Sequence, residues 1–177
     1  SEHEDKIIKD KDGEQFLPVS SIYGPNGGGK SNVLEALHTL AAKVLRPLYA
    51  TGDNEERVFL QKKMMIEPFA FSEKTKDEPT EFEIFFRTKL AEYRYILHVK
   101  RDMVVYERLD RVKMDTGRKS ALFERDEEIV LKGVFAKLKI SDELSETLPL
   151  LSYLGITYKK NEVVKDVLGW FEYGIDF

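Results

Sequence analysis

From Glu81 to Lys100 apolar and polar residues trade places almost position by position. In EFEIFFRTK, Phe82, Ile84 and Phe86 alternate with Glu81, Glu83 and Arg87, and in YRYILHVKR, Tyr93, Tyr95, Leu97 and Val99 alternate with Arg94, His98 and Lys100. A period of two gathers the apolar set on one face of a strand and the charged set on the other, so both segments read as half-buried strands. The break from Lys89 to Glu92 is short enough for a hairpin. MVVYERLDRVK, a turn at Asp115-Thr116-Gly117, then KSALFER, a turn at Asp126-Glu127-Glu128 and finally Ile129, Val130 and Leu131 continue the pattern as an antiparallel meander over 81–133.

On either side the period changes. Leu17 to Tyr23 is a short, largely apolar run, as expected of a buried strand. Val33, Leu34, Leu37, Leu40, Ala41, Val44 and Leu45 then recur at helical spacing, and Pro47 is predicted to stop that helix, leaving Leu48 to Val58 as a surface loop. Phe59 to Phe71 fits a short helix and an extended segment equally, with Pro68 breaking either. Past Gly133 the pattern is again helical. Ser141 precedes Asp142 and Glu143 as an N-cap would, and Asn161 opens EVVKDVLGWFEYG, where Val163, Val164, Val167, Leu168 and Phe171 share a face and Gly174 is a plausible stop. Trp170 and Tyr173 read as core or lobe-interface residues. These shifts divide the chain into 1–80, a strand, loop and helix with a linker; 81–133, the meander; and 134–177, a helical segment.

The junction of the first strand and helix carries the chemistry. Gly24, Gly29, Lys30 and Ser31 in GPNGGGKSN fit the phosphate-binding P-loop, G-x-x-x-x-G-K-[ST], and the required order of strand, glycine loop and helix surrounds it. Gly27, Gly28 and Gly29 let backbone N–H groups approach a phosphate chain. The helix start adds unpaired N–H groups and the positive end of its dipole. Lys30 is expected to reach the β/γ-phosphates, Ser31 to complete a Mg²⁺ shell, and Asn26 and Asn32 to lie among the binding residues. The nucleotide is expected to be ATP, since no N-K-x-D segment for reading guanine is present. Gln61 has two readings: a surface residue beside Lys62 and Lys63, which its flanks favour, and a nucleotide-sensing glutamine.

Composition narrows the setting. A chain of 177 residues with 42% hydrophobic content can build a real core. No apolar run approaches the ~18 residues of a membrane helix, and the charged start, SEHEDKIIKDKDGE, is no signal peptide, so a cytoplasmic protein without membrane contact is expected. The absence of cysteine excludes disulfides and thiolate metal sites, and His3, His38 and His98 are too scattered for zinc. A net charge of -4 gives no global attraction to nucleic acid, although basic residues outnumber acids between Arg87 and Lys119. That stretch reads as an ordinary solvated strand face in preference to a nucleic-acid surface, because acids are interleaved.

Hydrolysis also needs an acidic residue at the end of another buried strand, and none of ERDEEIV, VYERLD or WFEYGID has that form. Leu151-Ser152-Tyr153-Leu154-Gly155 faintly resembles the signature of ABC ATPases but reads as a helix end. GPNGGGKSN followed by VLEAL resembles the first motif of ABC-type ATPases of the SMC, RecF and OLD group. EPFAFS, EPTEFEIFFRT, YRYILHV and LFERD in order are similar to OLD-like, AAA-type ATP-binding proteins of abortive infection and anti-phage defence. The resemblance implies an α/β P-loop NTPase, ABC-ATPase-like, whose first lobe holds an antiparallel meander before a helical segment. It further implies two heads that sandwich ATP, an effector protein under their control, and a signature and acidic strand later in the chain. Joined to the missing motifs and to a start close to the P-loop strand, without the usual opening strand, it leads to the expectation of one part of a longer ATPase that binds nucleotide with little turnover. Two other readings stay open: a small-molecule P-loop kinase, and a nucleic-acid-binding module with a vestigial nucleotide site.

Overall fold

The computed structural model describes residues 8–9, 15–16, 30–50 and 78–174. The chain divides into two compact units, Ser1–Ala36 and Leu37–Phe177. In the first, β1 (Ile8–Lys9) pairs antiparallel with β2 (Gln15–Phe16), a small hairpin ahead of the glycine loop where the sequence pattern announces no strand. Helix α1 (Lys30–Ala50) then follows. The predicted strand Leu17 to Tyr23, the loop glycines, Gln61 and the ambiguous Phe59 to Phe71 segment lie outside the described residues.

The second unit is built on a five-stranded antiparallel sheet in sequence order, β3 (Thr80–Arg87), β4 (Ala91–Lys100), β5 (Met103–Lys113), β6 (Lys119–Arg125) and β7 (Ile129–Leu131). The meander read from the alternation is present strand for strand. Its inner face gathers Phe86, Tyr93, Tyr95, Leu97, Leu109 and Phe123 in one apolar core with Leu40, Ala41 and Val44 of α1. Two helices complete that core, α2 (Leu150–Thr157) through Leu150, Leu151 and Leu154, and α3 (Glu162–Tyr173) through Val164, Val167, Leu168 and Phe171.

Two irregularities shape the sheet. β4 and β5 are joined by only Arg101 and Asp102, both with positive φ (49° and 76°), the conformation that a two-residue hairpin with the sheet's twist requires. Lys43 of α1 holds this turn by donating to the Asp102 carbonyl at 2.9 Å and to its carboxylate. Between β5 and β6 the register slips after Leu109, so that Leu122 and Phe123, consecutive residues, are both fully buried.

Three predictions about the helices need correction. Pro47 does not stop α1, which runs through it to Ala50, so Leu48, Tyr49 and Ala50 are helical and not loop. A proline there has no N–H for the carbonyl of Lys43 and crowds the preceding turn. The buried Ser152 hydroxyl donates to the Val44 carbonyl of that turn at 2.6 Å, an acceptor that a side chain from another helix can use where proline disturbs the ladder.

Ser141 caps only a turn. Its hydroxyl accepts from Glu143 N at 3.2 Å and its carbonyl from Leu144 N, and the next helix waits until Leu150. The reading of Leu151 to Gly155 as a helix end also fails: these residues sit inside α2, with Leu151, Ser152, Leu154 and Gly155 buried. By contrast Asn161 does open α3, its side chain accepting from the N–H groups of Val163 (3.0 Å) and Val164 (3.2 Å), and Gly174 follows the last turn. Trp170 stacks on Phe86 at 4.2 Å between centroids, as a core residue should, whereas Tyr173 is 81% exposed.

Candidate functional site

Helix α1 begins at Lys30, directly after the three glycines of the P-loop motif. Its first turn contains no carboxylate. The other two α-helices have anionic or polar groups of their own at that end: α3 has Glu162 in its first turn and the Asn161 cap, and α2 has a buried carboxylate, described below. The positive end of α1's dipole is therefore not met by an acid of its own first turn, which is the electrostatic condition for receiving an external anion.

Ser31 and Asn32 are exposed, together with the rest of the stretch to Ala36. The apolar stripe predicted from the sequence starts earlier than the burial does: Val33 and Leu34 are 57% and 59% exposed, and the helix enters the core only near Leu40. Of the sequence-derived site residues, Gly24, Asn26, Gly27, Gly28 and Gly29 lie outside the described residues, as does the side chain of Lys30. Among the described residues no cluster of three His, Asp or Glu side chains could hold a metal ion.

Several basic residues of the sheet are paired with acids of the same sheet. Arg94 donates to Glu83 at 2.5 Å; Arg108 donates to both oxygens of Asp110 and, at 3.1 Å, to Glu124, which also accepts from Lys132 at 3.0 Å and from the Tyr106 hydroxyl at 3.0 Å. Lys132 and Tyr106 hold the Glu124 carboxyl below its ordinary pKa. Arg111 is buried. A shallow hollow of ≈ 380 Å³ on the outer face lies among Glu81, Glu83, Arg94, His98 and Tyr106, and its one arginine is the one paired with Glu83.

Below the sheet lies a polar pair that sequence reasoning missed. Glu107 and Arg125 are cross-strand neighbours on β5 and β6, both buried. Arg125 donates to the carbonyls of Leu148 (2.8 Å), Glu146 (3.4 Å) and Ser145 (3.5 Å). Glu107 accepts from Leu150 N (2.5 Å), Leu151 N (2.9 Å) and the Tyr95 hydroxyl (2.9 Å), so it caps α2 from outside the helix. Burial pushes the Glu107 carboxyl above its ordinary pKa, against the pull of these hydrogen bonds and of Arg125. No motif marks these residues. The signal in the sequence is a pair of charges each two residues from a core-facing residue, Leu109 and Phe123.

Residues 19–148 match the family described as "AAA domain, putative AbiEii toxin, Type IV TA system". The chain belongs to this AAA-domain family of P-loop ATPases. The match takes in the glycine loop, α1, the whole sheet and the Arg125-held stretch, and stops just before α2, although α2 and α3 complete the core. The AAA domain carries with it the P-loop NTPase fold and the use of a nucleotide. Neither the curated proteins nor the solved structures gave a match. Among the described residues no helix is long and apolar enough to cross a membrane.

Proposed function

We propose that this chain binds Mg-ATP at its P-loop as part of an ABC-type ATPase of the OLD-like, abortive-infection group. In this reading the backbone N–H groups of Gly24 and Gly27 to Gly29 surround the phosphates. Asn26 and Asn32 flank them, Lys30 neutralises the β/γ-phosphates and Ser31 ligates the metal, which supplies charge neutralisation at the phosphate oxygens. The observation that carries the reading is the placement of Lys30 and Ser31 at the start of a helix whose first turn has no carboxylate and is exposed, in a chain of this family. A defence role rests on the family's description, which names a toxin of a toxin–antitoxin system.

Turnover by this chain is expected to be slow, since the sequence pattern offers no apolar strand ending in an acidic pair to complete the metal shell. Isothermal titration with Mg-ATP tests the binding: Lys30→Ala should abolish it, and an unchanged affinity would refute the site. Fast steady hydrolysis that Lys30→Ala removes would contradict the slow-turnover half. ADP release that appears only with a small hydroxyl or amine acceptor would point instead to a kinase.

A further inference from the structure

The two ends of the sheet carry opposite charge. One end is formed by the β3–β4 turn, Thr88 to Leu90, and the β5–β6 turn, Met114 to Arg118, which meet where Met114 N donates to the Leu90 carbonyl at 3.4 Å. The helical layer reaches the same end. Asp166 of α3 accepts from Thr88 Oγ1 at 2.6 Å and from the Tyr93 hydroxyl at 2.8 Å, whereas Phe171, further along, packs on Phe86 and Tyr95, further from the turn. Helix α3 therefore runs away from the turns, and its N-terminus, with Tyr158 to Asn161 before it, stands beside them. Lys139 belongs there too, since its N–H and its carbonyl both bond the Tyr158 hydroxyl at 2.8 Å.

Each of these segments brings lysine or arginine. The sheet turns and adjoining strand ends carry Lys89, Lys113, Arg118 and Lys119, and the helical layer carries Lys139, Lys159, Lys160 and Lys165. All but Lys113 are exposed, and among the described residues none of them stands in an ion pair. That sets them apart from Arg94 and Arg108 on the outer face of the sheet, whose charges are matched. Of the acids at this end, Glu92 holds Arg87 and Asp166 is taken by the two hydroxyls, which leaves Asp115 and Glu162. The other end is acidic, with Asp102 in the β4–β5 turn, Asp126, Glu127 and Glu128 after β6, and Glu146, whose carbonyl accepts from Val104 N at 2.8 Å.

This division turns the basic end toward a polyanion and the acidic end away from it. Cations spread over two turns and a helical layer cannot converge on one phosphate. They suit a run of phosphates, as a duplex offers at about 1.7 Å of axis per charge. Single strands are bound with the help of stacked aromatics, and the exposed aromatics Tyr49, Phe85 and Tyr173 lie on none of these segments. The one large apolar residue these segments expose is Leu90, too little to anchor the chain on a membrane surface.

We propose that the end of the sheet bearing Lys89, Arg118, Lys119, Lys159 and Lys160 docks on the phosphate backbone of double-stranded nucleic acid without reading its sequence. Affinity at such a surface comes from released counterions and falls steeply with salt. Anisotropy of labelled DNA and RNA duplexes, titrated with the full chain in the absence of nucleotide, should show binding at about 50 mM salt that weakens about tenfold or more by about 200 mM. Lys159→Glu with Lys160→Glu, and separately Arg118→Glu with Lys119→Glu, should each weaken binding about tenfold or more and lower the slope of log affinity against log salt by about two. These positions are exposed, so the urea midpoints should stay at the wild-type value. Lys100→Glu, at the acidic end, should change affinity less than about twofold.

With nucleotide absent, the outcome is separate from that of the Mg-ATP titration. Failure of both duplexes to bind would overturn the proposal. So would tighter binding of a single strand of the same length, binding of phosphatidylserine–phosphatidylcholine vesicles in place of the duplexes, or a loss in Lys100→Glu equal to that of either pair.

Discussion

Glu107 is where a single atom change should be felt most. Its two carboxylate oxygens serve three donors, the N–H groups of Leu150 and Leu151 and the hydroxyl of Tyr95, in a position with no solvent exposure. Glu107→Gln keeps the shape but exchanges one acceptor for an NH₂ group, which leaves at least one buried donor facing another. That should cost about 1–3 kcal/mol. Glu107→Ala strands all three donors, leaves Arg125 without its opposite charge and opens a void, for about 3–5 kcal/mol. Against a total stability of about 5–15 kcal/mol, the alanine variant should stand near the limit of folding.

Urea unfolding followed by Trp170 reads this cleanly, because it is the only tryptophan and stacks on Phe86 in the core. The pH dependence adds a second test. Burial raises the Glu107 pKa above its ordinary 4.5, so the folded protein holds the proton more tightly than the unfolded chain. The group's contribution to stability is then most favourable below pH 4.5 and declines as pH rises through the folded-state value. The glutamine variant lacks that decline, so the stability gap between wild type and Glu107→Gln should narrow on going from acid to neutral pH. Both variants within about 0.5 kcal/mol of wild type would refute the capping role, and a gap that widens with pH would mean that the hydrogen bonds outweigh burial and would refute the raised pKa.

Other changes test other joints. Ser152→Ala should cost about 1–2 kcal/mol by removing the hydroxyl from the Val44 carbonyl, and less in a Pro47→Ala background where the helix turn can close normally; equal costs in the two backgrounds, by chemical denaturation, would break the link to proline. At Gly155 an added Cβ would come within 2.5 Å of Leu168 Cδ1 and 2.7 Å of Leu48 Cδ2, so Gly155→Ala should destabilise by about 1–3 kcal/mol, seen as a lower urea midpoint without a change of slope. Lys132→Ala should move the Glu124 carboxyl titration upward, followed by NMR. The depressed value means that the Glu124 contribution is present above its ordinary pKa of 4.5 and fades as pH falls through the folded value, the reverse of Glu107.

The parts that were legible in the sequence obey strong local rules. Two strands announced themselves through two-residue periodicity, three more through the turns that bound them, and Asn161 through the geometry of an N-cap. What escaped was decided by distant partners. The Arg101–Asp102 turn has neither glycine nor asparagine and is held by Lys43, fifty-nine positions away from Asp102. Pro47 is a helix breaker by its own chemistry, yet α1 continues because packing on both sides of it outweighs the lost hydrogen bond. Ser141 had the composition of a cap, but the helix it seemed to open begins nine residues later, where Glu107 supplies the cap from another strand. The P-loop was readable as a motif because its function is written into residue types at fixed spacing. The Glu107–Arg125 pair was not, since any buried charge looks like a surface charge until the sheet is assembled.

That pair also sets a rule for what the chain can tolerate. Arg125 and Glu107 grip the stretch from Ser145 to Leu151 by carbonyls and amide hydrogens that every residue type other than proline provides. Substituting the side chain of Glu146 should leave the grip intact, whereas the Ser145 hydroxyl also shapes the turn by accepting from Thr147 N at 3.3 Å. Inserting or deleting one residue there moves each carbonyl and amide out of its place. In this stretch, length should be inherited more strictly than sequence.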